Sequence, residues 1–359
     1  MKVPSVKVPS VLCAVTFLAY PLGAQQAERH RLAGNDLAVY NLVGTLTVGP
    51  GTGPDVVVEV TRGGADAAQL RVEIGMVRGR NTLRILFPDD DIVYSRDGRR
   101  GRGGWNTTLR VNDDGTFGHG QNEGRRIRIS SRGDGVNAWA DVRVLVPGGK
   151  SLRAGLGAGQ VTANGVTGDL WLQASAGDID VTETAGRLRL ESGSGGISLA
   201  QGSGTISVHT GSGEIGLSDV KGDRLHGGSG SGSLTLRGAD FERVELQTGS
   251  GSIRASAVTA RDIELSTGSG GVSVEALTRP DRVEVETGSG SVTVTLPENF
   301  GATVRLETGS GGIDLGGMSV TGSRIRRNRV SGTTGDGRGT LTVETGSGSI
   351  KVQVRSARN

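Results

Sequence analysis

The sequence predicts an all-β fold: a parallel β-solenoid, β-helix-like, with coils of about 19 residues and an irregular β N-terminal part. Three observations carry this prediction. A Thr-Gly-Ser-Gly turn begins at Thr210, Thr248, Thr267, Thr287, Thr308 and Thr345, with Ser-Gly-Ser-Gly forms at Ser192 and Ser229 and shorter versions at Gly157 and Ser175. The segments flanking these turns alternate apolar and polar residues, which is the period of strands buried on one face. Composition agrees: 63 glycines, 9 prolines and 3% aromatic residues leave Val, Leu, Ile and Ala to fill a narrow core, and there is no Gly-X-Y period to suggest collagen.

The last glycines of the turns fall at 159, 177, 195, 213, 232, 251, 270, 290, 311 and 348, giving steps of 18, 18, 18, 19, 19, 19, 20, 21 and 37. The final step is about two periods, so a degenerate copy is expected within 318–340. In "VEVETGSGSVTVTL" (283–296) Val283, Val285, Val292, Val294 and Leu296 face inward, and Glu284, Glu286, Thr293 and Thr295 face out. A meander of antiparallel hairpins is the competing architecture. Near-constant spacing with like residues at like phase favours stacking, because a solenoid unit buries its apolar side only against its neighbours. About ten coils at about 4.8 Å each make a rod about 50 Å long.

Along the chain, residues 1–24 carry Lys2 and Lys7, a short apolar run at 11–20 and small residues Gly23 and Ala24, the pattern of an export signal. The run is too short for a permanent span, and no later segment is apolar enough to cross a membrane. The single cysteine, Cys13, lies in this segment, so the mature chain has neither disulfide nor thiolate chemistry. Removing 1–24 takes away two lysines, leaving 38 basic against 37 acidic residues, a net +1. That balance argues against nucleic acid as a partner. Residues 25–147 form the irregular N-terminal region, with a polar insertion at about 89–134 expected to be a long loop. Residues 148–359 hold the solenoid repeats, interrupted by a loop insertion at about 318–340.

The opening "LAVYNLVGTLTV", then "VRVLVPGGKSLRAGLGAGQVTANGVTGDLWLQASAGDIDV", then the repeated Thr-Gly-Ser-Gly segments resemble the bacterial DUF4097 family, also labelled adhesin-like or β-strand-repeat proteins. The resemblance is strongest over 141–316. It implies a fold and an exported location; it implies no catalytic residues.

Candidate chemistry is sparse. The turn serines lack the Gly-x-Ser-x-Gly context of a nucleophile elbow. Their repetition points to structure, with glycines supplying positive φ and hydroxyls satisfying turn backbone groups. "GGKS" at Gly148–Ser151 has Val144 where a phosphate loop needs glycine. His30, His119, His209 and His226 have no metal-ligand spacing, and His209 is expected to be a solvated surface side chain. In-register stacking would align Glu245, Glu264 and Glu284 in one outward column followed by Arg305, and Glu286 with Glu307 in another. Like charges about 5 Å apart need relief, from arginines, solvent or a divalent cation, although a flat face offers calcium few oxygens. Trp171, Phe241 and Phe300 are the aromatics beyond residue 150, a poor set for sugar stacking. Trp105 and Trp139 lie in or near the insertion, where either could serve a binding site, with core or loop packing as the expected role of both. The clusters Arg99, Arg100, Arg102 and Arg324, Arg326, Arg327, Arg329 could bind anionic glycans or lipid headgroups.

These features point to an exported, non-enzymatic cell-envelope or surface protein with an adhesin-like binding or scaffold role. The expected partner is a surface glycan or an envelope protein, with no cofactor and no metal. A polysaccharide lyase or hydrolase is the alternative, and a periplasmic structural or sensory module the third. The irregular N-terminal part is expected to cap one end of the rod, and the exposed edge near Val354 to pair with another chain.

Overall fold

The computed structural model describes residues 27–95, 104–118 and 123–355, and these are almost entirely β. The central feature is a stack of parallel strands. Asp36–Pro50 lies in register with Lys150–Asn164, from Asp36 opposite Ser151 to Ala163 opposite Val48. The register then passes through every coil to 282–297. The stack therefore starts at residue 36, inside the part expected to be irregular, and the antiparallel meander is excluded for the repeats.

One coil shows why these residues form these strands. In Leu234–Thr248, the side chains of Leu234, Leu236, Ala239, Phe241, Val244, Leu246 and Thr248 are buried, on three successive sides of the coil. Corners turn on residues in the left-handed region: Glu183, Gln201, Asp219 and Ala257 at φ 51–55°, and Gly238 at φ 68°. Such residues bend the chain sharply from one side of the coil to the next, at a steric cost that only glycine avoids.

The Thr-Gly-Ser-Gly turn is a stacking device. Its first hydroxyl is buried and donates to the last glycine carbonyl of the turn below, at 2.7–3.0 Å in Ser192, Thr210, Ser229, Thr248, Thr267, Thr287, Thr345 and Thr308. In Thr248 the same oxygen accepts from the Gly251 N–H at 3.2 Å. Gly159, Gly177 and Gly348 take the positive φ expected of turn glycines, but most of the turn glycines are needed for another reason. Gly249 and Gly251 are not in the left-handed region. Instead, a Cβ on Gly251 would stand 2.1 Å from the Gly232 carbonyl oxygen, and one on Gly249 would stand 2.3 Å from that of Gly230. Close approach of successive backbones excludes every side chain there.

The last coils are stacked out of chain order. Gly339–Thr345 pairs in parallel with Arg282–Thr287 on one side and Ala302–Thr308 on the other. Ile350–Arg355 likewise lies between Val292–Pro297 and Ile313–Asp314. The C-terminal coil is thus intercalated: Val354 pairs with Leu296 on one side, while on the other only Ile350 and Lys351 are paired, with Ile313 and Asp314. The tract 318–340 holds no degenerate coil and is not a loop. Thr321–Arg326 and Arg329–Thr334 form an antiparallel hairpin whose second strand pairs with Ala302–Thr308 and covers the end of the stack. The 37-residue step arises because this hairpin is inserted before the final coil.

At the N-terminal end two strands add in parallel to the first coil, and each is then covered by an antiparallel partner. Arg80–Leu86 adds to residues 37–40 of the first coil and pairs with Arg71–Val77 in a hairpin. Trp139–Val146 pairs with residues 44–50 and with Val56–Gly63, which carries Glu28–Leu32 at its other side. The 89–134 tract is not a featureless loop: Asp91–Val93, Asn106–Val111 and Arg125–Ser130, with Val136–Asn137, make a separate four-stranded sheet. Ile92, Leu109, Ile127 and Ile129 are its buried contribution to the core.

Candidate ligand-binding face

The strands that precede the turns present one continuous outer face. The residue before each turn hydroxyl defines a row that runs Tyr40, Gly155, Gln173, Glu191, His209, Gly228, Gln247, Ser266, Glu286, Glu344 and Glu307. Two residues earlier, a parallel row runs Arg153, Trp171, Arg189, Ser207, His226, Glu245, Glu264, Glu284, Thr342 and Arg305. From His209 to Glu307 this face is hollowed into a groove of about 860 Å³. Small residues explain the hollow, since Gly228 and Ser266 stand where neighbouring coils carry His209, Gln247 and Glu286.

Polarity changes along the face. At the start of the face, before the groove, the Arg153 guanidinium lies 3.6 Å over the Trp171 ring and that of Arg189 lies 4.3 Å from it. The indole N–H donates to Glu191 Oε2 at 3.0 Å, and Arg189 Nε donates to Glu191 Oε1 at 2.6 Å. Both faces of Trp171 are covered by cations, so it cannot serve as a sugar platform. This sandwich was legible as an 18-residue step, 153 to 171 to 189, but only with the stack's register known.

In the middle, His209 packs against His226 with ring centroids 4.8 Å apart and planes tilted by 55°, and His226 Nδ1 lies 3.3 Å from Glu245 Oε2. His209 is half-buried and not the solvated side chain expected. Burial, and then the neighbouring His226, hold its pKa below the ordinary 6.5. The folded protein therefore takes up fewer protons at this site than the unfolded chain. Stability supplied by the neutral ring is complete above about pH 6.5 and declines as pH falls below it. Thermal melts at pH 7 and pH 5 should show a smaller loss of Tm in His209→Gln than in the parent; equal losses would show that His209 does not set the slope.

At the far end Glu245, Glu264 and Glu284 do form the expected column, but Thr342 of the intercalated coil follows Glu284, and Arg305 comes only after it. Glu344 enters the second row between Glu286 and Glu307 for the same reason. Charge relief is local. His226 faces Glu245, Arg282 pairs with Glu284, Arg305 lies 3.3 Å from Glu344, and Arg329 bonds Glu307. Among the described residues no group of three or more His, Cys, Asp or Glu is placed to hold a metal ion.

The other expected site residues are dispersed. Arg99, Arg100 and Arg102 lie outside the described residues. Trp105 is 43% exposed and packs edge-on against Tyr94, which also meets Trp139. Arg324 and Arg326 are exposed on the C-terminal capping hairpin and Arg327 at its tip, separated from the groove by the strand that bears Arg329. Lys150 of "GGKS" donates to the Gly34 carbonyl at 2.7 Å.

Sequence reasoning missed a pocket where the face begins. The Arg78–Gly79 tip of the 71–86 hairpin and residues 116–118 fold over the first coils. They enclose about 190 Å³ lined by Tyr40, Arg78, Arg80, Phe117 and Arg153 among others. The Phe117 ring meets Tyr40 edge-on at 5.4 Å, and Gly155 beneath is a glycine because a Cβ would lie 2.8 Å from the Tyr40 ring. Arg78 and Arg80 come from a hairpin with no repeat signature, so no periodicity could have pointed to them.

The family described as Toastrack DUF4097 matches residues 140–353. No curated protein matches the chain. A solved structure from Clostridium sporogenes ATCC 15579, described as "a putative cell adhesion protein", is similar over 92% of this chain and 100% of its own at 10% identity. Its TM-score is 0.23, a likeness too slight to bear on fold or function. Among the described residues no helix is long and apolar enough to cross a membrane.

Proposed function

The chain belongs to the Toastrack DUF4097 family, and from its architecture we propose an exported, non-enzymatic β-solenoid of the cell envelope or surface that binds an extended ligand along one face, in the manner of an adhesin. One observation carries the reading: equivalent positions of successive coils build a single groove of about 860 Å³ from His209 to Glu307. Such a groove offers many small contacts along a chain instead of one reactive centre. Its acids are spread along two rows, and several of them face an arginine or a histidine. A glycosidase needs instead two carboxylates converging on one bond. The charged start and apolar run of residues 1–20 support export.

Ser266 is the residue to test. It is half-exposed on the groove floor and its side chain points away from the core. Ser266→Trp should fill the groove, leave the β-sheet circular dichroism and Tm unchanged, and reduce binding to surface polysaccharides at least tenfold on a glycan array. Undiminished binding by a folded Ser266→Trp protein would remove the groove from the function.

A further inference from the structure

We propose that the pocket at the start of the face is a carboxylate-binding site, built on Arg153 with Arg78 and Arg80, for the acid group of a sugar acid at the end of, or branching from, a bound glycan. The proposal starts from a charge imbalance. Arg78 pairs with Asp114 at 3.1 Å and Arg80 with Asp36 at 2.9 Å. Nearby, Glu191 is held by Arg189 and Trp171. Arg153 is left half-buried with no ion pair among the described residues, and its buried Nε has no hydrogen-bond partner. A partly desolvated, uncompensated guanidinium is costly to keep. One bound monoanion would balance it.

The geometry suits a carboxylate. Stacking on Trp171 fixes the plane of the Arg153 guanidinium before any ligand arrives. A planar fork held in place matches a carboxylate through two parallel hydrogen bonds. Tyr40, 5% exposed, lines the same space. Burial raises its pKa against the opposing pull of Arg153, Arg78 and Arg80, so its hydroxyl keeps its proton. Val77 and Phe117 supply an apolar wall. A volume of about 190 Å³ takes a carboxylate and the sugar ring that bears it but not a polymer segment. The rest of the glycan would leave along the outer row that leads from Tyr40 and Gly155 toward His209.

Arg78 is a further sign of selection for charge. It sits at φ 50° beside Gly79 at φ 81° in a two-residue hairpin turn, a position that favours asparagine or glycine over a long side chain. Arg78→Asn should therefore keep the hairpin while removing a cation from the pocket.

The assignment rests on reading this face as ligand-binding, and titration with a single sugar separates the two claims. Calorimetric titration of the full chain with glucuronic acid should give saturable one-to-one binding, with no heat of binding for glucose and at least tenfold weaker affinity for inorganic phosphate. Arg153→Met, which keeps an unbranched chain over Trp171, should weaken glucuronic acid at least tenfold, and Arg78→Asn should weaken it severalfold. If Arg153→Met does not fold, Arg78→Asn decides. Ser266→Trp should leave glucuronic acid binding intact, so failure of the groove reading and failure of the pocket give different results. Absence of saturable glucuronic acid binding, equal affinity for phosphate, or unchanged affinity in a folded Arg153→Met or Arg78→Asn protein would overturn the assignment.

Discussion

Deletion of residues 339–359 is expected to unravel the C-terminal end of the rod while leaving the rest folded. The deleted coil contributes Leu341, Val343, Ile350 and Val352, each with 0% exposure. At about 1.5–3 kcal/mol for each buried aliphatic side chain, the loss is about 6–12 kcal/mol. Hydrogen bonds go with it on both sides, because this coil is the common neighbour of 282–297 and 302–314. A solenoid coil touches only its neighbours, so the damage stays local. Amide hydrogen exchange should show protection lost over 302–334 and retained from 150 to 276. The alternative result is informative. If amides 302–308 stay protected, that coil has closed onto 282–287, a pairing its own Thr-Gly-Ser-Gly turn permits. The intercalated order would then be one of two registers available to the chain.

Gly251→Ala is expected to cost about 1–3 kcal/mol, more than a surface substitution. The added Cβ would lie 2.1 Å from the Gly232 carbonyl oxygen and 2.4 Å from its carbon. That carbonyl also accepts the Thr248 hydroxyl at 2.8 Å, so moving it breaks the buried ladder as well. Ser250, the exposed residue beside it, supplies the control, and Ser250→Ala should change stability by less than about 0.5 kcal/mol. Urea denaturation followed by far-ultraviolet circular dichroism measures both. Equal stabilities for the two variants would show that the coils can separate at the turn without penalty, contrary to the close approach seen there.

Particular residues show how far the sequence reaches. Val283, Val285, Val292, Val294 and Leu296 are buried as their alternation requires, and Glu245, Glu264 and Glu284 align because the turns that follow them share one phase. Repetition made these positions predictable: each coil reports the environment of the next. His209 was misjudged because its partner, His226, lies in the other row of the next coil, two residues from its in-register neighbour Gly228. The turn glycines were identified correctly, but positive φ accounts for only some of them, Gly159, Gly177 and Gly348 among them; a sequence shows that a side chain is absent and not what would have struck it.

The all-β class, the inward residues and the row of outward acids were readable from residue order, because period-two alternation fixes which side is buried and near-constant turn spacing favours a parallel stack over a hairpin meander. The folded chain was needed to exclude the meander and to reveal where the stack begins, the intercalation of 339–355, and the pocket of Arg78, Arg80 and Arg153. Those features depend on which coil lies beside which, and on a hairpin and an insertion folding back over the first coils. Coils that share one register are chemically interchangeable as neighbours, so their order in space is set by chain connections and end caps, which local periodicity does not encode.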